Sequence, residues 1–190
     1  MWTTMEVQEI LNGMMELAVS EQYQYVTPEL LLYMMTKTGH FAEAFADCGG
    51  DPDRLREDLL GYMKENIPKI QDGKDPEVTQ GLGQVFYEAN QCMQRCDKKA
   101  VEVSHLIYGL YTLKESHALY YIQVQEIERA ALLSAMAKYA AEDRNEEEDG
   151  IEEEHQNDPQ AYRESSQRGK KERWQQYVTC LMMNWIRGIL

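Results

Sequence analysis

A chain of 190 residues, 43% of them hydrophobic, is long enough to bury one core of roughly 150 residues and still carry a tail. Its net charge of -14 argues against a nucleic-acid partner, which would need a basic face to neutralise phosphates. Four cysteines are too few for a stapled secreted scaffold, no apolar run approaches the ~20 residues that span a bilayer, and no basic-then-apolar leader opens the sequence. The expectation is a cytoplasmic protein that does not enter a membrane.

In chain order, Val7, Ile10, Leu11, Met14 and Ala18 follow the rhythm of a helix with one buried stripe. Thr27 then offers a side-chain oxygen to the free amides of a second helix, and Pro28 fits its first position, so a helix runs from there to about Thr36. A short helix over His40 to Ala46 ends at Gly49-Gly50, where the missing Cβ permits a left-handed turn. Asp51-Pro52 repeats the device of a cap followed by proline and starts a fourth helix that carries Leu55, Leu59, Tyr62 and Met63 inward. Ile67 to Pro76 reads as a loop.

The order then replays. Leu82, Val85, Phe86, Ala89 and Met93 form one stripe, and a helix follows around Leu106. A short helix spans about His117 to Ile122, and a last one runs from Glu126 towards Ala141. The segments around Val26-Thr27-Pro28-Glu29-Leu30 and Val101-Glu102-Val103-Ser104-His105-Leu106 are the anchors of this duplication. The fold class expected is all-α: a four-helix unit used twice, about eight helices, related by a pseudo-twofold axis. The units cover about residues 1–66 and 77–141 within a domain of residues 1–141. Between Glu142 and Glu154 stand nine acidic residues against one arginine, so residues 142–173 are expected to be an acidic linker. The apolar tail 174–190 follows it.

Tyr25-Val26-Thr27-Pro28-Glu29-Leu30-Leu31-Leu32, then Gly50-Asp51-Pro52-Asp53-Arg54-Leu55-Arg56, then Val101-Glu102-Val103-Ser104-His105-Leu106 resemble the Clp amino-terminal domain. That duplicated helical domain stands at the front of Clp-type AAA+ unfoldases such as ClpA and ClpC. The resemblance covers about Glu6 to Ala141, and in the second copy Val103-Ser104 replaces the usual threonine-proximal cap. It implies a domain that receives protein clients and adaptors above an ATPase ring, with a ClpS-like adaptor as one partner. Residues 142–173 are similar to the family's tether, and Tyr177-Val178-Thr179-Cys180-Leu181 to the start of its first ATPase module. By the resemblance, adaptor-facing positions fall on Gln24, Glu29, Thr79 and Gln84. Only Glu29 and Thr79 match in type and are carried over as partner-binding residues.

No G-x-x-x-x-G-K-[ST] occurs, so this chain is expected to have no ATPase or other enzymatic activity of its own. The alternative is a stand-alone helical scaffold that docks on a Clp protease complex. No catalytic residue, cofactor or metal is expected. His105 and His117 lack neighbouring ligands at metal spacing, and Cys92 and Cys96, four apart, lack a second pair. Glu29 has a simpler role available in its helix's first turn, where a carboxylate complements the dipole. Met14, Met15, Met34 and Met35 are expected to fill the core rather than form a pliable groove.

Overall fold

The computed structural model describes residues 2–70 and 75–149, with side chains at the C-terminal end through Tyr139. Eight helices are present among the described residues: α1 (Met5–Ser20), α2 (Pro28–Met35), α3 (Gly39–Asp47), α4 (Pro52–Asn66), α5 (Gln80–Arg95), α6 (Val103–Leu110), α7 (His117–Val124) and α8 (Arg129–Asp149). The first two helices of each unit agree in length and lie 75 residues apart: α1 and α5 have 16 residues each, α2 and α6 eight.

The caps that begin these helices are sequence-encoded. Thr4 and Thr79, again 75 apart, accept the amides of Val7 and Leu82 at 3.4 and 3.3 Å. Thr27 accepts that of Leu30, and Asp51 Oδ1 accepts two, from Asp53 and Arg54, both at 3.0 Å. Glu102 stands where the first unit has Thr27. There the cap is inverted, and the Glu102 amide donates to His105 Nδ1 at 2.9 Å.

The two units embrace reciprocally. Strand β1 (Tyr25–Val26) precedes α2 and pairs in parallel with β2 (Glu77–Val78), which precedes α5. The matching bridge joins Thr3, before α1, to Val101, before α6. The Thr79 amide donates to the Val26 carbonyl at 3.0 Å and the Thr4 amide to the Val101 carbonyl at 3.1 Å. Helix α3 packs on α8 and α4 on α7. Element i of one unit meeting element j of the other, and j meeting i, is what a twofold relation requires.

Every member of the two expected stripes is buried, from Val7 to Ala18 and from Leu82 to Met93. Met14, Met15 and Met35 are core residues and Met34 packs against them. Each such large side chain removed from water contributes on the order of 1.5–3 kcal/mol.

Three details depart from the sequence reading. The two-residue ladders are extended backbone in an otherwise helical fold; they are too short to show alternation and exist because the two units meet there. The last helix begins at Arg129, because Glu126 takes a left-handed φ of 59° that ends α7. Its helical backbone then passes Ala141 to Asp149, into the segment assigned to the acidic linker. Alanine and glutamate are strong helix formers, and extending a helix already nucleated on the core is far less costly than starting one. Residues 150–173 of that linker and the tail 174–190 lie outside the described residues.

Candidate functional site

Glu29 and Thr79, far apart in sequence, line one cleft of about 600 Å³. Its walls are the N-terminus of α2 (Thr27, Pro28, Glu29), the N-terminus of α5 (Thr79, Gly81) and the α6–α7 loop from Thr112 to His117. Gln24 and Gln84 lie outside this lining; their side chains bond the Tyr25 hydroxyl at 3.2 Å and Glu88 at 3.0 Å.

Both lining residues also hold the fold together. Glu29 is 6% exposed, and its Oε1 accepts the Ala118 amide at 3.1 Å and the Ser116 hydroxyl at 3.2 Å. The carboxylate of α2 in one unit thus closes the first turn of α7 in the other, in addition to sitting in the first turn of its own helix. Thr79 Oγ1 donates to the Val26 carbonyl at 3.1 Å while capping α5. On the cleft wall the ring of His117 stacks on that of Tyr62 at 4.4 Å. Burial, and secondarily the Glu29 charge, push the Tyr62 phenol above its ordinary value.

A second cleft, of about 770 Å³, is the same site built by the other unit. Adding 75 turns its Thr4 and Glu6 into Thr79 and Gly81, and its Lys37–His40 into Thr112–Glu115; subtracting 75 turns its Glu102, Val103 and Ser104 into Thr27, Pro28 and Glu29. The sequence reading missed this twin. The signal was the 75-residue offset itself, which maps Thr79 onto Thr4 and Glu29 onto Ser104. The twin is the more charged, with Glu6, Glu9, Lys37, His40, Lys98 and Glu102 on its walls. His40 lies 3.5 Å from Glu6, and Lys98 3.1 Å from Glu102.

Cys92 and Cys96, a pair set aside for want of further ligands, and His105, set aside for want of neighbours at metal spacing, are brought within 4.8 Å of one another where α5 meets α6. The missing companion for each was supplied by tertiary packing. Burial holds the His105 imidazole below the ordinary histidine value, with opposing pulls from Glu102 and Lys98. His117, the other histidine considered, is exposed on the first cleft.

The chain belongs to the Clp repeat (R) N-terminal domain family, which matches residues 3–125. Among solved structures it is similar to the Hsp104 N-terminal domain from Candida albicans, with a TM-score of 0.63 and 15% identity, covering 74% of this chain and 92% of that one. It is also similar to the N-terminal domain of the caseinolytic protease-associated chaperone ClpD from Arabidopsis thaliana (TM-score 0.57, 16% identity, 73% and 94% covered). A third likeness is to the N-terminal domain, residues 1–163, of the ClpV1 ATPase of the E. coli EAEC Sci1 T6SS (TM-score 0.58, 18% identity, 68% and 80% covered). At such identities the likeness is one of fold.

Proposed function

We propose that this chain is the substrate- and adaptor-receiving N-terminal domain of a Clp-type ATP-dependent unfoldase, and that its two equivalent clefts are the receiving surface. The observation that carries this reading is the recurrence of one cleft from both units, each walled by helix N-termini and rimmed by charge. Helix N-termini present unpaired amides to a polypeptide's carbonyls or acidic groups, and rim charges govern encounter and selectivity. Glu29 and Thr79 shape one of the pair, and a ClpS-like adaptor or an exposed client segment is the occupant proposed.

The chemistry of unfolding belongs to an ATPase module, and with no G-x-x-x-x-G-K-[ST] in its 190 residues this chain turns over no nucleotide by itself. Weak capture suffices when a tether keeps the client close to the pore at high effective concentration. The setting proposed is the cytoplasm; no helix among the described residues is long and apolar enough to cross a membrane.

Fluorescence anisotropy with a labelled, carboxymethylated unfolded polypeptide tests the assignment. Lys37→Glu combined with Lys114→Glu reverses one exposed rim charge in each cleft. The double variant is expected to bind about tenfold more weakly, a change of ~1.4 kcal/mol. Unchanged affinity in a folded double variant would remove the clefts from the account.

A further inference from the structure

Cys92 and Cys96 stand one turn apart at the C-terminal end of α5, with Cys96 exposed at the cap position, and so share a face of that helix. His105, the third residue of α6, is 4% exposed, and one ligating atom from each of the three lies within 4.8 Å of the others. The duplicated fold supplies its own control. The positions 75 residues earlier are Leu17, Glu21 and Leu30, and Leu30 is fully buried in the core. The repeat therefore packs without these residue types, yet its second copy places three metal-ligating side chains together from two helices.

The geometry points to a binding site for one thiophilic divalent cation, zinc foremost, held by Cys92 Sγ, Cys96 Sγ and a ring nitrogen of His105, with the fourth position open to water or to a partner's ligand. Two sulfurs and an imidazole are a donor set that zinc takes in tetrahedral geometry. Such an ion needs ligand atoms about 3.4–3.8 Å apart, so the three groups close by about 1 Å, a movement open to the exposed Cys96. Both thiols lose their protons on binding, and the two thiolates neutralise the cation.

Because His105 Nδ1 accepts the Glu102 amide, the neutral ring carries its proton on Nε2. Ligation through Nδ1 replaces that amide. Ligation through Nε2 moves the proton to Nδ1 and also releases it. Occupancy of the site is thereby coupled to the first turn of α6, whose Glu102, Val103 and Ser104 line the larger cleft.

The test uses the full chain, reduced with a phosphine and stripped by chelation, titrated with cobalt(II). One equivalent should produce the thiolate-to-cobalt charge-transfer band and tetrahedral d–d bands, and zinc should bleach them. Cys96→Ser and His105→Leu, the latter installing the first unit's own residue, should each weaken cobalt binding about tenfold or more. Circular dichroism should show both variants still helical, and Cys48→Ser and Cys180→Ser should bind like the parent. Absence of the charge-transfer band at stoichiometric cobalt, or its persistence in both Cys96→Ser and His105→Leu, would overturn the assignment.

Discussion

Gln22 and Asp97, 75 residues apart, both hold left-handed backbone, with φ of 57° and 53°. Each closes its helix by the same pair of bonds. The Tyr23 and Lys98 amides reach back to Ala18 and Met93 at 2.8 and 3.0 Å, and the Gln22 and Asp97 amides to Val19 and Gln94 at 3.1 and 3.2 Å. A non-glycine residue in this region bears a cost of order 1 kcal/mol, which aspartate's short polar side chain mitigates better than glutamine's. Gln22→Gly should therefore raise stability by up to ~1 kcal/mol, and Asp97→Gly by less. Urea denaturation midpoints measure both, and a larger gain at Asp97 would refute the ordering.

Removing the Glu29 carboxylate uncouples two units rather than one contact. Glu29→Ala removes the cross-unit acceptor of the Ala118 amide and the Ser116 hydroxyl, leaving that amide with Ser116 Oγ alone, and should cost about 1 kcal/mol. Glu29→Gln retains a carbonyl acceptor and should cost less than half as much. Equal losses by chemical denaturation would mean that charge, not the hydrogen bond, is what the α7 terminus uses.

The close approach of the first two helices in each unit is solved by a glycine on opposite partners. A Cβ on Gly109 of α6 would collide with the backbone carbonyl of Val85 in α5, whereas one on Gly13 of α1 would meet only the terminal methyl of Met34 in α2. Backbone cannot retreat without parting the helices, while a thioether end can swing away. Gly109→Ala should destabilise by about 2–3 kcal/mol and Gly13→Ala by under ~1 kcal/mol, read from thermal and urea unfolding.

Tyr111 donates its hydroxyl to the Ile127 carbonyl at 2.8 Å, and burial, then the nearby Cys48, hold its phenol above the ordinary value of 10.0. A raised folded-state pKa means the unfolded chain loses the proton first. The stabilisation is complete below pH ~10 and is lost as pH rises from there through the folded pKa. Relative to Tyr111→Phe, the parent should be ~1 kcal/mol more stable at pH ~8, and the margin should shrink by pH ~11. A margin that grows with alkalinity would contradict the sign.

Much of this architecture is legible in the chain because its signals are local. Thr27-Pro28 and Asp51-Pro52 announce helix starts, Gly49-Gly50 a helix end, and the stripes from Val7 and Leu82 name the core faces. Among the described residues, three of the four left-handed helix ends were not legible, since Gln22, Asp97 and Glu126 are not the residue type that turn prefers. The grouping of Glu29 with Ser116 and Ala118, and of Cys92 and Cys96 with His105, depends on how helices from distant segments dock. Periodicity carries no information about that. The twin cleft could have been found by carrying Glu29 and Thr79 through the 75-residue offset.

The claim that matters most is that both clefts, as equivalents, take up protein. Amide chemical-shift mapping of the full chain during titration with an unfolded polypeptide tests it directly. The account predicts concerted perturbation of Lys37–His40 and of Thr112–Glu115, the corresponding walls of the two clefts. Perturbation confined to surfaces outside both clefts, or none as the polypeptide approaches saturation, would contradict it.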